Sequence, residues 1–319
     1  MLTEFADWRM IFYVNLPVAV ALAAAALRVV PADAHKPQWC GLDLRGAILA
    51  TTSLGAIVYA ITQASAAGWT SAQTVVIGLA GIAGLVAFTA CEMRTEKPLL
   101  RVQRLADRAI GGGLLLMLLS AGLIFGLFLL CSLYLQNVLG TGPLATGLAF
   151  IPLALAAGAG AHAGGHLVGR SGVRMPLAGT FAVTAIGMAL LSGVDGSSSY
   201  LRDVLPGMLI AGLGLGVAVV TVSVAILTGA RHEETGMLSG LNSTGHEIGG
   251  TIGIAVFSTI AAGATGGIAG PEAANGIAGA FLAAGVVAGI ASLIALTALP
   301  RASRFLPKLH LNPHAMPIH

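Results

Sequence analysis

Charge is what this sequence has least of. Of its 319 residues, 9% are Asp, Glu, Lys or Arg, against about 25% in a soluble domain, so a water-facing surface cannot be built from it. Cysteine is almost as scarce. Cys40, Cys91 and Cys131 are far apart, form no C-x-x-C pair and have no histidine cluster beside them, which excludes a disulfide framework and a zinc site. Aromatic residues make up 5%. Walker-type, Ser-His-Asp and metalloprotease spacings are missing, and Gly212-x-Gly214-x-Gly216 lies inside an apolar run with no strand before it, so it is not a dinucleotide fingerprint. No catalytic residue, metal or cofactor is therefore expected, and the chain does not read as an enzyme. The net charge of +3 does not point to nucleic acid, because the basic residues sit in short loops and not on one face.

What the sequence has instead is apolar length. Hydrophobic residues make up 56%, and there are 44 glycines, small residues that let helices approach closely in lipid. Nine apolar segments can be read, near Trp8–Val30, Gly46–Ala67, Thr74–Cys91, Ala109–Leu135, Gly147–Val168, Met175–Leu191, Val204–Leu227, Met237–Ala262 and Ile277–Leu299. Each is close to the roughly 20 residues that a helix needs to cross the hydrocarbon, and helices satisfy their own backbone hydrogen bonds there. The turns are predicted at Pro31, Pro37, Pro98, Gly140–Pro143, Asp195–Ser199 and Gly270–Pro271. Pro17 and Pro152 fall inside spans and predict kinks. The expected fold is an all-α integral membrane protein with about nine transmembrane helices, embedded in a lipid bilayer.

Placing the segments alternately sends all but Arg9 and Arg202 of the 16 basic residues to one side. By the positive-inside rule that side is cytoplasmic. The C-terminus is then expected in the cytoplasm, and nine crossings put the N-terminus outside, in a multi-pass protein of the cell membrane.

Several stretches occur in an order that resembles one family. Trp8-Arg9-Met10-Ile11-Phe12-Tyr13-Val14-Asn15-Leu16-Pro17 resembles the start of the sixth helix of the fourteen-helix drug:proton antiporters of the major facilitator superfamily. Leu133–Gly140 followed by Gly147–Pro152 resembles their ninth-to-tenth helix connection, and Gly165–Arg174 the cytoplasmic loop signature of the C-terminal half. Leu205-Pro206-Gly207 with Gly212–Gly216 resembles the twelfth helix, and Gly240–Thr244 with Gly249–Gly253 the thirteenth. The resemblance covers nearly the whole chain. It implies a partial major facilitator fold. Residues 1–40 would be the last helix of the N-terminal half plus a cytoplasmic loop, 41–95 an inserted two-helix hairpin, 96–300 the complete six-helix C-terminal half, and 301–319 a cytoplasmic tail. Five further helices are implied that this sequence does not contain, supplied by a longer coding sequence or by a separate chain.

Glu247 is the sharpest candidate for chemistry. It lies twelve residues beyond Thr235, roughly 18 Å along a helix at 1.5 Å per residue, near the bilayer midplane where an ionised carboxylate is costly. In a proton-coupled carrier, such a group would be protonated in one access state and deprotonated in the other, and burial would favour its neutral form. A packing or ion-pair role is the plainer alternative. His246 is about 100° around the helix from it and shares a polar stripe with Asn242. Family members often carry Arg-Gln where this chain has His246-Glu247. Gly245, Gly249 and Gly253 at four-residue spacing suit close helix packing. Gln136, Tyr134 and Asn137 end their segment on the outer side and are vestibule candidates or simply a polar helix end. In the loop signature, Gly165, Arg170, Gly172 and Arg174 take the family's positions, with Gly169 where an acidic residue is usual, and both arginines also serve as cytoplasmic anchors. His162 and His166, four residues apart, could present two metal ligands, but no third is evident and an interfacial pair is the simpler reading.

The leading expectation is a secondary carrier, driven by the proton gradient, that exports small hydrophobic or cationic compounds by alternating access about a midplane site. The alternative is an inactive fragment or a non-transporting membrane scaffold.

Overall fold

The computed structural model describes residues 9–29, 43–95, 98–228, 234–263 and 273–303. The turns expected at Pro31, Pro37 and Gly270–Pro271, and residues 304–319, lie outside them. Among the described residues there is no strand. The long helices are α1 (Met10–Val29), α2 (Leu44–Ala67), α3 (Ala72–Glu92) and α4 (Arg108–Leu133). After a short helix, α5 (Pro143–Ala149), come α6 (Ile151–Ser171), α7 (Arg174–Leu191), α8 (Leu205–Leu227), α9 (Thr235–Gly263) and α10 (Ala273–Ala298).

Side chains fix several of the starts. Asp43 accepts from the Gly46 amide at 2.8 Å to open α2, Ser71 accepts from Thr74 at 3.2 Å to open α3, and Asp107 accepts from Ala109 at 3.1 Å to open α4. Gly172, at φ +70°, ends α6 in a conformation that disfavours side chains. Pro152 lies inside the span Pro143–Ser171, as expected, and the helix breaks beside it at Phe150, so that the proline stands in the first turn of α6, where its missing N–H has no helical partner to lose. Pro17, by contrast, lies inside an unbroken α1. Single turns of π-helix at Tyr134–Val138 and Tyr200–Val204 extend α4 and lead into α8.

Among the described residues, eight helical spans are long and apolar enough to cross a membrane: α1, α2, α3, α4 with its π turn, α5 with α6, α7, the second π turn with α8, and α10. The ninth long helix, α9, is not among them, because Ser239, Asn242, Ser243, Thr244, His246 and Glu247 dilute its apolar residues.

The core lies where α4, α7, α8 and α10 meet. Leu116, Leu123, Leu127, Phe181, Met208 and Phe281 are buried there. Around it α6 and α7 flank α8, α10 packs on α7 and α4, and α9 lies along α4 and α10. The α2–α3 hairpin leans on α9 through α2, and Trp69 Nε1 donates to Thr259 Oγ1 at 3.3 Å. Backbones are brought together by small residues, as lipid-embedded helices require. A Cβ on Gly216 would overlap the Ala157 carbonyl of α6, and one on Gly187 would lie 2.5 Å from the Ala211 amide of α8. α1 carries no such seam and is exposed along its length, Phe12, Leu16, Val20 and Leu27 included.

Candidate functional site

Helix α9 separates its residues by angle. The Gly249 and Gly253 side is pressed against α4, where a Cβ at either position would overlap the carbonyl of Leu118 or of Gly122. Gly245 is looser, with a would-be Cβ 3.7 Å from Met117 Cγ. His246 leans toward α4 as well, its ring edge-on to Phe125 with centroids 5.5 Å apart. Asn242 reaches α8, donating to Ser223 Oγ at 3.3 Å, while its Oδ1 is buried with no partner.

Glu247 lies on the opposite side. Its side chain is 76% exposed and its Oε1 is 3.4 Å from His246 Nδ1. The enclosure expected for this carboxylate is not found. Among the described residues, the face formed by Gly240, Ser243 and Glu247 is exposed, although α2, α4, α8 and α10 all pack on α9. The arrangement is thus a mid-helix carboxylate and imidazole in contact, one facing outward and the other packed on an aromatic ring.

The remaining sequence candidates are scattered. Tyr134, expected at a vestibule, is instead buried, and its hydroxyl donates to the Asp195 carbonyl at 2.6 Å. Gln136 is exposed and donates to Ser132 Oγ at 2.8 Å. Arg170 is exposed in the last turn of α6, Gly165 is half-buried, Gly172 caps α6, and Arg174 begins α7 with its Nε buried and unpartnered. His162 and His166 have ring centroids 4.9 Å apart on α6. Among the described residues, no group of three His, Cys, Asp or Glu could hold a metal ion.

Three charged groupings escaped the sequence. Glu234, just before α9, is almost enclosed and binds Arg104 through paired contacts and Arg101 at 3.3 Å. This holds the Arg104 guanidinium above its ordinary pKa, the hydrogen bond to Glu234 being the main cause. Glu92, 3% exposed, accepts from the Leu100 amide at 3.0 Å but leaves Oε1 unpartnered, as Asp43 leaves Oδ2. The third, a group of arginines at the ends of α4, α7 and α10, is taken up below. Capping chemistry could have found Asp43. The other pairings join segments far apart in sequence and carried no local signal.

Eight apolar spans and no strand among the described residues define a multi-pass α-helical membrane protein. The chain belongs to the major facilitator superfamily, whose family model matches residues 45–254, as the ordered motifs implied. It is 35% identical over 268 residues to the puromycin resistance protein pur8 of Streptomyces alboniger, covering 83% of this chain and 53% of that one. It is 31% identical over 262 residues to the multidrug resistance protein Stp of Mycobacterium tuberculosis, covering 82% and 48%. It is 29% identical over 320 residues to the cephamycin export protein CmcT of Amycolatopsis lactamdurans, covering 98% and 65%. The chain spans about half the length of the first two of these relatives.

Proposed function

We propose that this chain forms part of a secondary carrier that exports drug-like small molecules across the cell membrane, coupled to the proton gradient. The observation that carries the reading is the open polar face of α9. It sets Ser243 and Glu247 at mid-helix in a bundle that is otherwise apolar, and an ionisable residue at membrane depth marks a transport path by default. The names of pur8, Stp and CmcT as resistance or export proteins support efflux over any enzymatic role. On this reading the uncovered face meets helices of the other half of the carrier, whether on the same polypeptide or on a separate chain, and substrate passes between them. The basic loops hold the C-terminal end in the cytoplasm.

The test is drug-dependent collapse of a pH gradient in inverted membrane vesicles, with puromycin and ethidium as probes. The wild-type chain in its native context releases protons when the drug is added. Glu247→Gln, at equal membrane level, abolishes that signal. Normal flux in the variant removes Glu247 from the proton path, and no flux in the wild type favours a non-transporting scaffold.

A further inference from the structure

Where α4 and α7 begin and α10 ends, a cavity of about 580 Å³ opens between the helix tips. Arg108, Arg174 and Arg301 all line it, together with Thr297 and Ser303. Among the described residues, none of the three guanidinium groups has a carboxylate within 4.0 Å. The Nε of Arg174 is buried and has no hydrogen-bond partner. Asp107, the residue before Arg108, lines the adjoining depression and turns one oxygen to the Ala109 amide at the start of α4.

Three like charges that share a cavity with no carboxylate of the described residues within 4.0 Å repel one another, and the buried Arg174 Nε donor is left unsatisfied. A ligand that supplies several anionic oxygens at once relieves both. The planar guanidinium fork matches phosphate oxygens bidentately. The amide ends of α4 and α7 add positive dipole, while the opposing end of the α10 dipole is offset by Arg301. The cavity lies at the tips of three helices long and apolar enough to cross a membrane, the depth at which headgroups would meet them, and Leu296, Leu299 and Pro300 give it an apolar wall. Basic pockets between transmembrane helices bind anionic headgroups in this way.

We infer that the Arg108–Arg174–Arg301 cavity is a binding site for a phosphate-bearing anion, supplied by the headgroup of an acidic phospholipid or by free phosphate. The inference does not depend on the transport reading. Its test is the thermal unfolding of the full chain in neutral detergent with added phosphatidylglycerol, phosphatidylcholine or inorganic phosphate. Phosphatidylglycerol is expected to raise the midpoint saturably and phosphatidylcholine to leave it unchanged. A rise with millimolar inorganic phosphate alone identifies the free anion as the ligand. Arg174→Gln and Arg301→Gln each weaken the apparent affinity at least tenfold. Arg202→Gln, at the opposite end of the bundle and largely exposed, leaves it unchanged. If Arg174→Gln fails to fold, Arg301→Gln, beyond the end of α10, carries the test. Equal responses to the two lipids with no response to phosphate, or wild-type affinity in Arg301→Gln, overturn the site.

Discussion

Arg104 and Glu234 are joined across 130 residues of sequence by a two-pronged ion pair, which ties the entry of α4 to the entry of α9. The carboxylate is 5% exposed and the guanidinium 28%, so the pair is only partly open to screening by water and salt. It is placed to hold the two ends in register, since α4 and α9 then run together along a glycine seam.

Arg104→Ala is expected to lower stability by about 2 kcal/mol, the scale of hydrogen bonds to a charged group. Arg101, at 3.3 Å, retains part of the compensation. Glu234→Ala should cost more, because both arginines lose their partner. Thermal melts of the two variants in detergent check the order. Equal melting temperatures for both variants and the wild type would show that the pair contributes nothing.

The orphaned oxygens of Asp43 and Glu92 converge on Gly46. A Cβ there would lie 2.7 Å from the first and 2.5 Å from the second. Glu92→Gln replaces an acceptor with a donor able to face Asp43, and should stabilise the α2–α3 hairpin by about 1 kcal/mol. A lower melting temperature than wild type at neutral pH would contradict the geometry.

The glycines of α9 should not respond alike. Gly253→Ala forces its methyl group into the Gly122 backbone and is expected to cost about 1–3 kcal/mol, as overpacking does. Gly240→Ala meets nothing within 4 Å and should change stability by no more than about 0.5 kcal/mol. Crosslinking yield between cysteines introduced on α4 and α9 would report whether the helices part in the first variant and stay together in the second.

Asp195, in the loop between α7 and α8, is held below the ordinary aspartate pKa, first by the Ser197 hydroxyl and then by the Ser197 amide and Ser198 hydroxyl. A depressed pKa means that this contribution is complete above the unfolded value and is lost as pH falls through the folded one. Amide exchange at 195–199, corrected for its intrinsic pH dependence, should therefore quicken as Asp195 protonates. In Asp195→Asn that acid-dependent step should disappear.

The helices were legible because lipid permits few alternatives. Runs such as Thr74–Cys91 match the hydrocarbon thickness, and the Asp and Ser caps stand where chain enters helix. The break at Phe150 was announced by Pro152, whereas the π turn at Tyr134–Val138 was not legible, since it depends on how neighbouring backbones fit together. Glu247 was visible as a carboxylate out of place in an apolar run. Its outward direction was not, because exposure depends on which helices cover a face, and four of the helices around α9 reach it from elsewhere in the chain. Tyr134 misled for the same reason. A tyrosine at a helix end is polar by position, yet the neighbouring loop closes over it and supplies the Asp195 carbonyl.

The polarity of α9 also bears on how the protein is made. On insertion scales, a central acidic residue costs about 2.5–3.5 kcal/mol, while each Leu or Ile returns about 0.3–0.6. A nascent segment holding Asn242, His246 and Glu247 would thus linger at the translocon exit rather than partition into lipid unaided. The greasy α10, emerging next, can draw it sideways as a hairpin, and α4, already resident, offers the glycine groove that receives it. On this basis α9 and α10 would enter the bilayer as a pair instead of one helix at a time.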